Sequence, residues 1–461
     1  TEAERAEALV STLMDRLMVV AIDLTGHDDA QLIFETLNDR GTPLLKADLV
    51  KNWVFRMGEK VGADVELWSA EVWAEFDDDW WRGEVRQGRL MRSRIDVFLQ
   101  YWLTMMRQDE VKADRLFSVF VDIATPHFST KESAIEFVRT LRSDADAFRA
   151  LGDLDENTPE GRFYRRVVED LELAATTPVL LWLLSERNGV PSDERAIALQ
   201  ALESWVIRRT LLRLTTKDVN KFMVSLLKHL RTDSPVAAGD SVVTYLSEQT
   251  ADTRAWPADS AVRAQLPQVK LYWNVRQSRL RLVLAGIEAH LRASDPRYGS
   301  TAVESGLSLE HVMPRAWRQH WDTSPSLTPD EAAARDALVD TLGNLTLVTQ
   351  SLNSSLSNRP WENGDATGLV EGGRPGWGKR QLLDQFNLLV LNKQVLDRTE
   401  PWDDSAIRER SAALAQAICE IWPGPDDEVQ RAAAEERLAP PQLEQVGLAD
   451  GRKRSPWSDA E

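Results

Sequence analysis

The 461 residues allow about two to four domains and exclude a single small module. With 43% hydrophobic and 28% charged residues, a wholly disordered chain or a fibrous repeat is excluded as well. Lys plus Arg number 55 against 73 for Asp plus Glu, a formal charge of −18, so any nucleic-acid contact must come from local basic patches.

The first two-thirds predicts helix after helix. Apolar residues recur at helical steps in Leu9, Leu13, Leu17 and Val20, and again in Leu45, Leu49, Trp53 and Met57. The spacing returns in Val97, Tyr101 and Met105 and in Ile207, Leu211 and Leu214, with no comparable strand-like alternation. Breaks are expected at Gly152 to Gly161, Thr232 to Asp240 and Trp256-Pro257. Short β-compatible runs follow at Leu307 to Met313 and Asn344 to Val348, before helical spacing resumes in Gln381 to Leu391 and Ile407 to Ile421. From Gly424 the chain turns acidic and poor in large apolar residues, which predicts a disordered tail. The division expected is a helical region over 1–265, a second domain over 266–425 and a tail over 426–461.

The lone cysteine, Cys419, excludes intramolecular disulfides and paired-cysteine zinc sites, and fits a small buried residue in a reducing cytoplasm. No apolar run approaches the roughly 18–20 residues of a membrane span, and Thr1-Glu2-Ala3-Glu4-Arg5 lacks signal-peptide character, so no membrane partner is expected. Basic residues gather at Arg82 to Arg107, at Trp205 to Arg231 and at Lys270 to Arg297. These are either solvated helix faces or phosphate contacts, with Arg208, Arg209, Arg276, Arg279 and Lys379 the candidate DNA-binding residues.

The stretch richest in chemistry is Leu307-Ser308-Leu309-Glu310-His311-Val312-Met313-Pro314, with Leu342-Gly343-Asn344-Leu345-Thr346-Leu347-Val348 and Leu352-Asn353-Ser354 after it. Two strands and a helix would form a ββα unit able to hold one metal. Glu310 and Asn353 offer hard oxygen ligands suited to magnesium or another divalent cation. His311, pointing the other way along the strand, could accept a proton from water as general base. Asn344 would orient the His311 loop. A buried strand histidine with turn asparagines remains the alternative on spacing alone. His320, with Trp317 and Trp321, could line the mouth of such a site. The Gly373 to Arg380 loop nearly matches a phosphate-binding loop but carries Arg380 where Ser or Thr is required.

Together these segments resemble the HNH endonuclease domain of GmrSD-type, modification-dependent restriction enzymes, which joins Glu-His-x-x-Pro, Gly-Asn-Leu-Thr-Leu and a following asparagine. The likeness runs from about Val269 to Trp422 and takes in Lys379 and the Trp402, Ile407 and Arg410 pattern. It implies His311 as general base, Glu310 and Asn353 as metal ligands, and Asn344 as the asparagine of the central strand. A second likeness, over Phe34-Glu35-Thr36-Leu37-Asn38-Asp39-Arg40-Gly41-Thr42-Pro43-Leu44 with Asp48 and Leu49, is to the later part of the ParB-like nucleotidase domain that precedes this nuclease. Trp205-Val206-Ile207-Arg208-Arg209 is similar to that domain's helical portion. Its Asp-Gly-Gln-Gln-Arg nucleotide motif is not in this sequence, so nucleotide binding is expected only through an N-terminal part upstream of Thr1. The resemblance thus implies a mainly α chain ending in a ββα-metal nuclease with flanking helices. It would nick foreign or modified DNA, phosphorothioate- and base-modified DNA among the candidates, in a bacterial defence system, and cutting both strands would take two centres, from a dimer or from successive nicks. The competing expectation is a DNA-binding or scaffold subunit with a silent HNH site.

Overall fold

The structure is a computed structural model that describes residues 2–16, 45–88, 90–295, 306–321, 327–362 and 376–428. The nucleotidase-like segment Phe34 to Leu44, His27, residues 373–375 of the glycine-rich loop and the tail beyond residue 428 lie outside them. The chain is mainly α-helical with two small antiparallel sheets among the described residues. No described helix is long and apolar enough to cross a membrane.

Two compact units are present, 1–99 with 113–134, and 100–112 with 135–461. Residues 135–265, expected with the N-terminal helices, thus fall in the same unit as the ββα segment.

In the first unit, helix α1 (Glu2–Asp15) is exposed, and helix α2 (Lys46–Lys60) buries the predicted stripe through Leu49 and Trp53. Trp53 meets Phe120 and Phe128 edge-on, with centroids 5.9 and 5.0 Å away. Asp96 Oδ1 accepts the Ala47 amide at 3.0 Å, satisfying a donor in the first turn of α2. Strands β1 (Glu84–Gln87) and β2 (Leu90–Ser93) form a hairpin that helical spacing did not predict. Gly88, which follows β1, has a φ of +62° that suits a residue without Cβ. The Asp77-Asp78-Asp79 run is a helix end: Asp78 Oδ1 accepts the Trp81 amide at 2.9 Å, and Asp77 pairs with Lys51 and Arg82.

In the second unit, helix α3 (Ser192–Leu211) is buried along most of its length. Its polar residues explain why 135–265 packs with the C-terminal segment. Arg208 donates to Trp422 O at 2.7 Å, to Pro257 O at 2.9 Å and to Asp259 Oδ1 at 2.6 Å. Glu203 Oε1 accepts the Trp422 indole N–H at 2.8 Å. These groups cannot leave one another without abandoning buried charge.

The remaining elements surround the second sheet. They are α4 (Gln277–Ser294), β3 (Ser308–His311), α5 (Pro329–Leu338), β4 (Leu345–Val348), α6 (Gln350–Leu356), α7 (Lys379–Phe386), α8 (Val390–Leu396) and α9 (Asp404–Ile421). The spacing read as one helix from Gln381 to Leu391 is two. Asn387 Oδ1 accepts the Leu389 amide, and buried Glu288 of α4 accepts the Val390 and Leu391 amides at 3.0 and 2.7 Å, starting a new helix. An apolar core of Val312, Met313, Trp317, Leu352, Trp361, Leu382, Trp402 and Ile407 lies beneath the sheet.

Candidate active site

Strands β3 and β4 pair antiparallel, with Glu310 opposite Thr346 and His311 opposite Leu345. Every residue of β4 is buried, as its run of apolar residues and one threonine allows. Gly343 just before it must be glycine: a Cβ there would lie 2.2 Å from Ile407 O and from Ser411 Oγ of α9. Arg410 of α9 donates to Gly343 O at 2.7 Å and Leu345 O at 2.8 Å, fixing the start of the strand. Complete burial pulls its pKa down to about 9. The Thr349 hydroxyl caps α6 by accepting the Leu352 amide, so a helix follows the second strand at once.

Strand alternation sends Glu310 and His311 to opposite faces. On one face the His311 ring is 9% exposed, with Nε2 3.3 Å from Asp340 Oδ1 and its centroid 4.3 Å from the Tyr272 ring. A carboxylate accepts, so this bond places the proton on Nε2 and leaves the Nδ1 lone pair to accept another. Arg315 Nε reaches the same Asp340 oxygen at 3.2 Å. Asp340 O accepts the Leu271 and Tyr272 amides at 2.9 and 3.1 Å, tying the segment before α4 to the site.

On the other face, Lys379 Nζ lies 2.5 Å from Glu310 Oε1 and 2.7 Å from His311 O, at 1% exposure. Asn353 is half-buried on α6, which packs against β3. No cluster of three or more His, Cys, Asp or Glu able to hold a metal occurs among the described residues. The donors that remain, one carboxylate and one amide oxygen, fit a hard cation that keeps most of its positions for water and phosphate.

Asn344 is fully buried, and its amide ties the loop after β3 to Val339 and Trp402. Its Oδ1 accepts the Met313 amide at 2.8 Å and the Trp402 indole N–H at 3.2 Å. Its Nδ2 donates to Met313 O at 2.8 Å and Val339 O at 2.9 Å.

Three expected DNA contacts need correction. Arg208 is 0% exposed and held as described above, and Arg209, 2% exposed, donates to Ala255 O, Thr215 O and Asp252 O. Burial lowers the Arg209 pKa to about 10. Lys379 is consumed beneath the strand. Arg276 is exposed and pairs with Glu172, and half-buried Arg279 donates to Leu171 O at 2.5 Å. The site mouth also differs from expectation: Trp317 and Trp321 are core residues that donate to Asp336 Oδ1 and Arg359 O, while His320 is exposed.

Sequence reading missed Asp340, Tyr272 and Arg315. A single acid in the apolar run Leu338-Val339-Asp340, just ahead of the Gly-Asn pair, was the available signal. Tyr272 and Arg315 had none, because their relation to His311 exists only in three dimensions.

Comparison with the curated proteins finds no match. Residues 256–417 match the family model described as GmrSD restriction endonucleases, C-terminal domain.

Proposed function

Because residues 256–417 match the model of the GmrSD restriction endonuclease C-terminal domain, we propose that the β3–β4–α6 unit is an HNH-type, divalent-metal-dependent endonuclease centre. The observation that carries this reading is the end of β3, where Glu310 and His311 face opposite ways and Asp340 holds His311 by Nε2. His311 Nδ1 takes the proton of the attacking water, and Asp340 keeps the ring oriented and stabilises the imidazolium. Asn344 fixes the loop that carries the histidine. Glu310 and Asn353 would hold magnesium or a similar ion, which when bound supplies Lewis-acid stabilisation at the leaving oxygen. A single centre makes a nick, and a second copy of the chain would supply the opposite strand. The substrate is foreign DNA bearing phosphorothioate or base modification, met in the cytoplasm of a bacterium with such a defence system. The nuclease domain spans 266–425 and shares its compact unit with residues 135–265 of the helical region.

A second reading, a DNA-binding or scaffold subunit with a silent centre, is favoured by one observation. Lys379 already neutralises the Glu310 oxygen nearest to it. The two readings are separated by incubating supercoiled plasmid, unmodified and phosphorothioate-modified, with the parent chain or His311→Ala, in magnesium or EDTA. The endonuclease reading expects magnesium-dependent nicking that is lost in His311→Ala. Equal inactivity of both chains supports the silent centre.

A further inference from the structure

Beside the His311 face the chain makes a tight turn. Asn274 and Val275 amides return to Leu271 O at 3.1 and 2.9 Å, and Leu271 and Tyr272 amides bond Asp340 O. Leu271 and Val275 are buried at its two ends, while Trp273 between them is 70% exposed. Its backbone is left-handed, with φ +70°, a conformation that a bulky aromatic residue adopts only under strain. The indole packs edge-on to Tyr272 at 5.0 Å, and Tyr272 in turn touches the His311 ring. The Arg315 guanidinium lies 5.5 Å from the Trp273 ring and 3.2 Å from Asp340, beside a depression of about 480 Å³ lined by Arg315, Ala316, Asp336 and Val339. Exposed Lys270 and Arg318 border the same area, against the chain's overall negative charge.

Packing does not explain this residue. The ring is presented to solvent at a conformational cost, one residue from the wall of the histidine, with a cation beside it. Strain of this kind is retained where the surrounding structure forces it, and it gathers at functional sites. A flat aromatic face next to a guanidinium suits an unstacked nucleobase and its phosphate.

We propose that Trp273 is a base-stacking residue, receiving a nucleobase unstacked next to the phosphate that His311 serves, with Arg315 holding the adjoining phosphate. The inference rests on the endonuclease reading for its ligand and adds a requirement for DNA that opens locally at the cut.

The test uses the full chain in EDTA with DNA oligonucleotides carrying 2-aminopurine, single-stranded and duplex. Stacking on an indole should quench the probe on binding. Trp273→Gly should abolish the quench and weaken binding about tenfold, while melting at or above the parent temperature because the left-handed strain is relieved. Trp273→Phe should restore part of the affinity. Arg315→Ala should retain the quench and lower the salt dependence of binding by about one phosphate contact. A Trp273→Gly chain that binds and quenches like the parent, or that melts below it, overturns the proposal, as does a parent that binds neither oligonucleotide. If plasmid nicking depends on His311 while Trp273 has no effect on quenching, only this inference falls. If Trp273-dependent quenching occurs without His311-dependent nicking, the endonuclease reading falls and the base-stacking role stands.

Discussion

Lys379 and Glu310, 69 residues apart in the chain, form a buried ion pair at 2.5 Å directly beneath the strand that ends in His311. The same ammonium donates to His311 O, so one side chain from α7 fixes both the acid and the backbone of its neighbour. Removing one partner of a buried pair leaves an uncompensated charge. Lys379→Met should therefore destabilise the chain by about 3 kcal/mol in urea titrations. Adding Glu310→Gln to it should cost less than the two single changes summed. An unchanged unfolding midpoint in Lys379→Met would show that the pair is not formed in solution.

Asn344 uses both ends of its amide. Asn344→Asp cannot donate, so Met313 O and Val339 O lose a partner in a fully buried setting. A loss of about 2–4 kcal/mol is expected, read from the shift in denaturant midpoint. A midpoint within error of the parent would mean that the loop is held by other contacts.

Asp340→Asn keeps the shape beside His311 and removes the anion that sets its tautomer. If His311 is the base, nicking should slow on the order of 10²-fold or more with little change in melting temperature. Parent-like nicking by Asp340→Asn would remove Asp340 from the reaction.

Arg208 and Arg276 separate structural from surface cations. Arg208→Met should destabilise by about 3 kcal/mol, because Pro257 O loses its guanidinium donor while Trp422 O keeps only Ser204 and Asp259 only Arg263. Arg276→Ala should leave the melting temperature nearly unchanged, its pair with Glu172 being exposed. Calorimetry of the two variants checks the contrast, and the opposite ranking would refute it.

Cys419 is 4% exposed, and burial pushes its thiol from an ordinary 9.0 up to about 11. The folded state therefore holds this proton more tightly than the unfolded chain, and the associated stability declines as pH rises from 9 towards 11. At pH 8 the native thiol should react with Ellman's reagent much more slowly than the urea-unfolded chain. Equal rates would show the site to be open.

Much of the site was legible because its signals are local. Alternation in Leu309-Glu310-His311 predicts that acid and histidine diverge, and the Gly343-Asn344 pair marks a backbone approach followed by a buried amide. Helical stripes such as Leu49 and Trp53 were read correctly because a period of 3.6 is written in the sequence itself. The hairpin at Gly88 and the break at Asn387 escaped because one turn residue and a distant capping carboxylate, Glu288, decided them. The basic clusters misled because a guanidinium's destination is not encoded in its neighbours: Arg208 and Arg209 went inward to carbonyls, Arg276 outward.

The sequence by itself determined the mainly helical character, the short strand that ends in an acid and a histidine, and the hard-oxygen chemistry of Glu310 and Asn353. Those follow from periodicity and side-chain type. Only the tertiary structure decided that Lys379 neutralises Glu310, that Asp340 orients His311, and that Trp273 stands exposed and strained beside them. Each of these joins residues far apart in the chain, where burial and charge pairing outweigh any local preference.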